Sequence, residues 1–337
     1  MHLTAAANTI KSQLGRLGID GFLLGIISAI IFAYFFPRPG IITQPVSLEQ
    51  VAGYGVSVIF FFYGLRLSFK KLAIELMNWR MHIVVQLTTF IIFPVIALAA
   101  KPFFNADSIL WAGIFYLCTL PSTVSSSVVM VSIAGGNVPA AIFNASISTL
   151  LGVFITPLWM IPFIEEKAAY TGTSSIILKL VIQVVAPVCC GLLLHKYGGV
   201  FAEKYKKRLK LFDQAVILLI IYTSFCHSFY NRVFEAFSVA ILLYLCAGMS
   251  ALFFAVYYLT RFVCKLFKFQ QRDCTTVLFC GSKKSLVHGT VMSKVLFTAT
   301  QPVSLILLPV MIYHSLQLIF MGIIAQRLRK NRELVIK

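Results

Sequence analysis

Apolar stretches about as long as a bilayer is thick alternate with short polar connections from residue 18 to residue 326. Ten can be read, at roughly 18–37, 50–67, 81–100, 108–133, 138–164, 174–195, 213–231, 236–262, 274–297 and 302–326. Each predicts a membrane-crossing helix, so the expected fold is all-α and polytopic. Two stretches are interrupted in the middle. The fourth carries Leu120-Pro121-Ser122-Thr123-Val124-Ser125-Ser126-Ser127. Pro121 removes a helical N–H, and the crowded hydroxyls can satisfy the freed backbone or hold an ion. The ninth carries Gly281-Ser282-Lys283-Lys284-Ser285, with His288 and Gly289 just beyond. Both stretches are expected to be discontinuous helices.

Halving the chain between the fifth and sixth stretches leaves five on each side, and the basic connection at 196–212, after the sixth, is expected as a loop. An odd number per half inverts the second half relative to the first, an arrangement common among transporters. The segment Leu117-Cys118 to Val129-Met130 echoes Phe279-Cys280 to Val291-Met292 at the same spacing, and each is followed by a proline-containing stretch, Pro157 and Pro309. The expected organisation is an N-terminal cytoplasmic arm (1–17), a first five-helix repeat (18–164), an outer loop (165–173), a second repeat (174–326) and a basic cytoplasmic tail (327–337).

Composition agrees with lipid as the solvent: 59% of residues are hydrophobic, 12% are charged, and mean hydropathy is +0.89. The net charge of +18 would suggest nucleic acid in a soluble protein. Here about 21 of the 29 basic residues fall on one side of the alternation, which makes the charge a topology signal. Both termini are expected in the cytoplasm, in a bacterial inner membrane, with lipids and no nucleic acid as partners; oligomeric state is not legible. The first apolar run is too long for a cleaved signal peptide. Eight cysteines show no zinc-ligand or disulfide spacing, and no nucleophile–base pair stands out, so neither a cofactor nor an enzyme is expected.

Depth makes the lysines the candidate chemistry. At 1.5 Å per residue from Asp273, Lys284 lies roughly 15 Å into the bilayer, beyond snorkelling reach. Lys294, about 30 Å along, and Lys179 can reach an interface and are expected to be ordinary snorkelling residues. The eleven carboxylates all fall in loops or near span ends. Partners for Lys283 and Lys284 must therefore be an anion or the carbonyls of an unwound segment, unless one amine is neutral. Ser282, Ser285, His288, Pro121, Ser122, Thr123, Ser125 and Asn144 complete the expected ion and substrate pathway. His227 and His314 are weaker candidates.

These residues resemble the bile acid:sodium symporter superfamily, in the branch of its seventh vertebrate member and bacterial relatives. The resemblance rests on Cys280 to Leu286 with Gly289, on Leu120 to Ser127, on Gly136-Asn137 and on Tyr63-Gly64-Leu65. It implies a panel domain (18–67 and 174–231), a core domain (81–164 and 236–326) and substrate between them, facing the crossing of helices four and nine. It also implies bound sodium, with Ser126, Ser127, Ser146, Ser148 and Gln86 near the ligand positions. The Glu and Gln that such relatives carry on helix nine are replaced here by Ser282-Lys283-Lys284-Ser285. The expected function is symport-like transport of a small organic anion by alternating access, coupled to sodium, or as an alternative sodium-independent with a lysine replacing a bound sodium. A regulatory or sensor membrane protein of the same fold is the alternative class.

Overall fold

The structure, a computed structural model, describes residues 21–42, 44, 47–66, 78–104, 109–165, 178, 181–236, 238–297 and 302–336. The expected arm (1–17), Lys179 and residues 166–173 of the outer loop lie outside them. The described residues form helices and their connections, with no strand among them. They are α1 (Gly21–Phe35), α2 (Leu48–Arg66), α3 (Trp79–Phe103), α4 (Ile109–Thr119), α5 (Ser125–Ala134), α6 (Val138–Glu165) and α7 (Val181–Leu193). After these come α8 (His195–Lys204), α9 (Lys206–Tyr230), α10 (Val239–Leu266), α11 (Gln271–Gly281), α12 (Leu286–Leu296) and α13 (Val303–Ile336).

Six of these, α2, α3, α6, α9, α10 and α13, are singly long and apolar enough to cross a bilayer. Their outward faces are apolar, as with Leu243, Tyr244 and Phe262 on α10, which suits lipid contact. The chain is a polytopic α-helical membrane protein. The basic stretch at 196–212, expected as a loop, is helical instead. After α7 the chain turns through 96° into α8 and continues into the lysine-rich start of α9. Leu193, Tyr197, Val200 and Phe201 lie exposed among Lys196, Lys204 and Lys207. The density of charge in this stretch hides its amphipathic pattern.

The helices pack in two groups. In one, α9 lies against α1 and α2, and α7 against α2. The approach of α7 to α2 depends on glycine. A Cβ at Gly191 would stand 2.1 Å from the Phe61 oxygen, and one at Gly64 2.1 Å from the Val188 oxygen. Small residues let backbones touch where no solvent drives association. In the other group α4 and α5 pack on α13, α11 on α3 and α10, and α6 on α4 and α5. The groups meet where α9 contacts α12 and α13 and where α2 contacts α12.

Both interrupted stretches break as expected. The first leaves α4 at Thr119 and re-enters helix at Ser125; the second leaves α11 at Gly281 and re-enters at Leu286. Gly135 ends α5 in the left-handed region (φ 73°), and the Gly136 N–H closes on the Val131 oxygen. A further irregularity lies in α3, where Thr88–Ile92 is a π-turn directly before Phe93-Pro94.

Candidate functional site

Every broken helix end exposes carbonyls that must find donors. At the end of α4 the donors can be followed one by one. Leu117 O accepts from Leu120 N, Tyr116 O from the Thr119 hydroxyl, and Thr119 O from Thr156 Oγ1. Pro121 O accepts from Ser285 N at 2.8 Å. Cys118 O would ordinarily receive the N–H of Ser122, but that N–H goes to Ser148 Oγ at 2.9 Å. Cys118 O and Leu120 O are left for the Lys284 ammonium, at 2.6 and 2.8 Å.

The third acceptor of Lys284 is Thr89 O at 2.6 Å, on α3. The π-turn explains why this carbonyl is free. Phe93 N bonds to Thr88 O in the wider register, and the next N–H in that register would belong to Pro94, which has none. The ring of Phe93 lies under the ammonium, 4.2 Å from Nζ. Gln317 on α13 fixes the lysine's own backbone: its Oε1 accepts from Lys284 N and its Nε2 donates to Lys284 O, both at 2.8 Å.

The second break is closed mainly by the first. Ser122 Oγ donates to Cys280 O at 2.6 Å, Ser127 Oγ to Phe279 O at 3.4 Å, and Tyr116 Oη to Gly289 O. Tyr313 Oη donates to Ser282 O at 2.8 Å, and the Ser282 hydroxyl turns back to Leu278 O. Ser285 caps α12, its hydroxyl accepting from His288 N at 3.2 Å. The crossing is therefore a mutual closure of two helices, each supplying the other's missing partners.

The two lysines differ sharply. Both are at most 1% exposed, and among the described residues neither pairs with a carboxylate. Lys284 has three carbonyl acceptors. Lys283 Nζ has no hydrogen-bond partner among the described residues. His288 is buried edge-on to Phe60, a residue of α2 in the other helix group, and its ring lies by the backbone of Gly152.

The remaining candidates divide by place. Thr123 Oγ1 lies 2.8 Å from Ser126 Oγ and 2.9 Å from Ser127 Oγ, giving a cluster of three hydroxyls beside the crossing. Ser148 joins through Ser122. The side chain of Ser125 lies outside the described residues. Asn144 sits one turn from Ser148 on α6, where Gln86 Nε2 donates to its backbone oxygen at 3.3 Å. Ser146 is on the far face of α6, bonded to Ile142 O, and lines a small cavity with Tyr63, Gly64, Thr149 and Val188. Of the five residues set out as sodium ligands, Ser126 and Ser127 share the hydroxyl cluster, Ser148 reaches it through Ser122, Gln86 bonds to Asn144 and Ser146 lines the cavity.

Lys294, expected to snorkel freely, forms an ion pair with Glu49 at 2.9 Å; His227 approaches the same carboxylate at 3.8 Å. His314 Nδ1 contacts Gln317 Nε2 at 2.9 Å. Pattern reading missed Thr89, Tyr116, Tyr313 and Gln317. Only Gln317 carried a signal, as an amide in the apolar middle of α13.

Comparison with known proteins places this geometry. Residues 20–330 match the SBF-like CPA transporter family. The chain is 35% identical over 316 residues to an uncharacterized protein of Pseudomonas aeruginosa, covering 93% of this chain and 94% of that one. It is 32% identical over 318 residues to the putative symporter YfeH of Escherichia coli, covering 94% of each. It is also 31% identical over 322 residues to sodium/bile acid cotransporter 7 of Xenopus tropicalis, covering 94% of this chain and 93% of that one. With two broken helices closing on each other and matches across nearly its whole length, the chain belongs to the SBF-like CPA transporter family, in the branch that includes the vertebrate sodium/bile acid cotransporter 7 proteins.

Proposed function

We propose that this protein is a secondary active transporter that carries a small organic anion by alternating access. The single observation that carries the reading is Lys283: a buried amine on the unwound segment of α11–α12 with no hydrogen-bond partner among the described residues. A cation at mid-depth in a dipole-lined break suits an anionic substrate. Family membership and the names of the relatives support transport itself.

In this reading the chain has ten crossings in two inverted repeats, with both termini in the cytoplasm of a bacterial inner membrane. The α1, α2, α7 and α9 group acts as panel and the remainder of the bundle as core, and substrate lies between them. The cavity lined by Tyr63, Ser146 and Thr149 opens on that boundary. The crossing, tied by reciprocal hydrogen bonds, moves as one piece with the core. The Thr123, Ser126 and Ser127 hydroxyls offer the neutral oxygens a sodium ion takes.

A second reading, transport without a sodium gradient, is favoured by the lysine pair itself. A buried ammonium repels a nearby sodium ion strongly at low dielectric, and among the described residues no carboxylate pairs with either lysine. Two measurements test these readings. Purified protein is screened for thermal stabilisation by mono- and dicarboxylates and conjugated bile acids, and uptake of a stabilising anion into proteoliposomes is then followed with and without a sodium gradient. Lys283→Ala is expected to abolish both stabilisation and uptake while the protein still inserts. An anion response unchanged in that variant overturns the assignment of Lys283. Uptake that strictly requires a sodium gradient overturns the second reading.

A further inference from the structure

We propose that the carbonyl oxygens of Thr89, Cys118 and Leu120, with the face of Phe93, form a binding site for a monovalent cation, and that the Lys284 ammonium is its tethered occupant. The assignment rests on geometry and not on what is transported, so its failure would leave the transport reading standing.

Donor count makes the first argument. The oxygens lie 2.6, 2.6 and 2.8 Å from Nζ, and carbonyls only accept. A neutral amine has two N–H bonds and an ammonium three, so only the protonated form satisfies all three acceptors. The aromatic face 4.2 Å away adds attraction for positive charge. No carboxylate among the described residues takes part. Charge compensation by carbonyl dipoles alone is how potassium filters replace an ion's hydration shell.

A second argument is that the oxygens are freed by three independent devices. Thr89 O is released by the π-turn and Pro94, Cys118 O by the diversion of Ser122 N to Ser148, and Leu120 O by the break at Pro121. None of these devices involves the lysine side chain. The three oxygens would therefore remain turned inward without it. Lys283 serves as the internal control, equally buried and one residue away, yet without an acceptor among the described residues. Burial in this segment does not by itself give an amine such partners.

Removing the side chain should turn the cage into a site for a free cation, with ammonium the best match because it repeats the tethered group's bonds. The test is thermal unfolding of the full chain in detergent, at constant chloride, with ammonium, potassium or sodium exchanged for choline. Wild type is expected to show the same Tm in ammonium as in choline, whatever sodium does at the hydroxyl cluster. Lys284→Ala is expected to have a lower Tm in choline, rising with ammonium by a constant step per tenfold concentration above the dissociation constant. Lys284→Met, whose stem still fills the approach, is expected to stay low in every salt. If Lys284→Ala cannot be purified in choline, the readout is the yield of monodisperse protein extracted in ammonium against choline. A Lys284→Ala protein whose Tm, or yield, ignores ammonium overturns the proposal, as does a wild type that responds to ammonium equally.

Discussion

Two serines two residues apart on α6 show how much position matters at the scale of single residues. Ser148 accepts the N–H of Ser122 and so keeps Cys118 O open for Lys284. Ser146 bonds only to its own helix and faces the cavity by Tyr63. Ser148→Ala leaves a buried N–H that either stays unpaired or turns to Cys118 O and displaces the lysine. We expect a loss of about 1–3 kcal/mol, seen as a lower Tm, against little change for Ser146→Ala. Equal effects would mean that Ser148 has no part in the crossing. Gln317 has the same kind of standing. Its amide pairs with both backbone groups of Lys284, so Gln317→Leu should cost about 1–3 kcal/mol for each group left unpaired.

At the scale of elements, irregular backbone positions the site. Proline inside a helix ordinarily costs about 3 kcal/mol, so Pro94→Ala would be expected to stabilise an ordinary α3. Here alanine restores an N–H that can reach Thr89 O and compete with Lys284. We therefore expect Pro94→Ala to lower the Tm; a rise would show that the π-turn is not tied to the lysine. The breaks in α4–α5 and α11–α12 were legible in the sequence because polar groups in a long apolar run are costly wherever they lie. That Lys283 and Lys284 must lie buried at the break was legible for the same reason. What fills the breaks was not, since most of the partners are backbone carbonyls or single polar side chains of ordinary appearance. Thr89 and Lys284 are 195 positions apart, and nothing local marks either as the other's partner. The close approach of α7 to α2 was hidden likewise, because Gly64 and Gly191 gain meaning only when each faces the other's helix.

At the scale of the whole molecule, the ion pair from Glu49 on α2 to Lys294 on α12 spans the two helix groups, and His227 on α9 approaches the same carboxylate. If the groups move against each other during transport, this bridge must open and re-form. Glu49→Lys is expected to slow uptake, and the double variant Glu49→Lys with Lys294→Glu to recover part of it. Recovery would not occur if the two charges served only as separate surface groups. Depth alone places Lys294 at an interface and does not reveal an acid on another helix.

The reciprocal closure of the two broken helices also has a consequence for biosynthesis. Lys284 lies 166 residues downstream of Cys118. At ribosomal rates of about 5–20 residues per second, that separation is roughly 10–30 s of synthesis. Throughout that interval the nascent α4–α5 segment carries carbonyls whose donors have not yet been made. Lipid cannot supply them, so the segment must wait beside water, the insertion machinery or a chaperone. The polar centre of this protein is then among the last parts of the chain to be sealed.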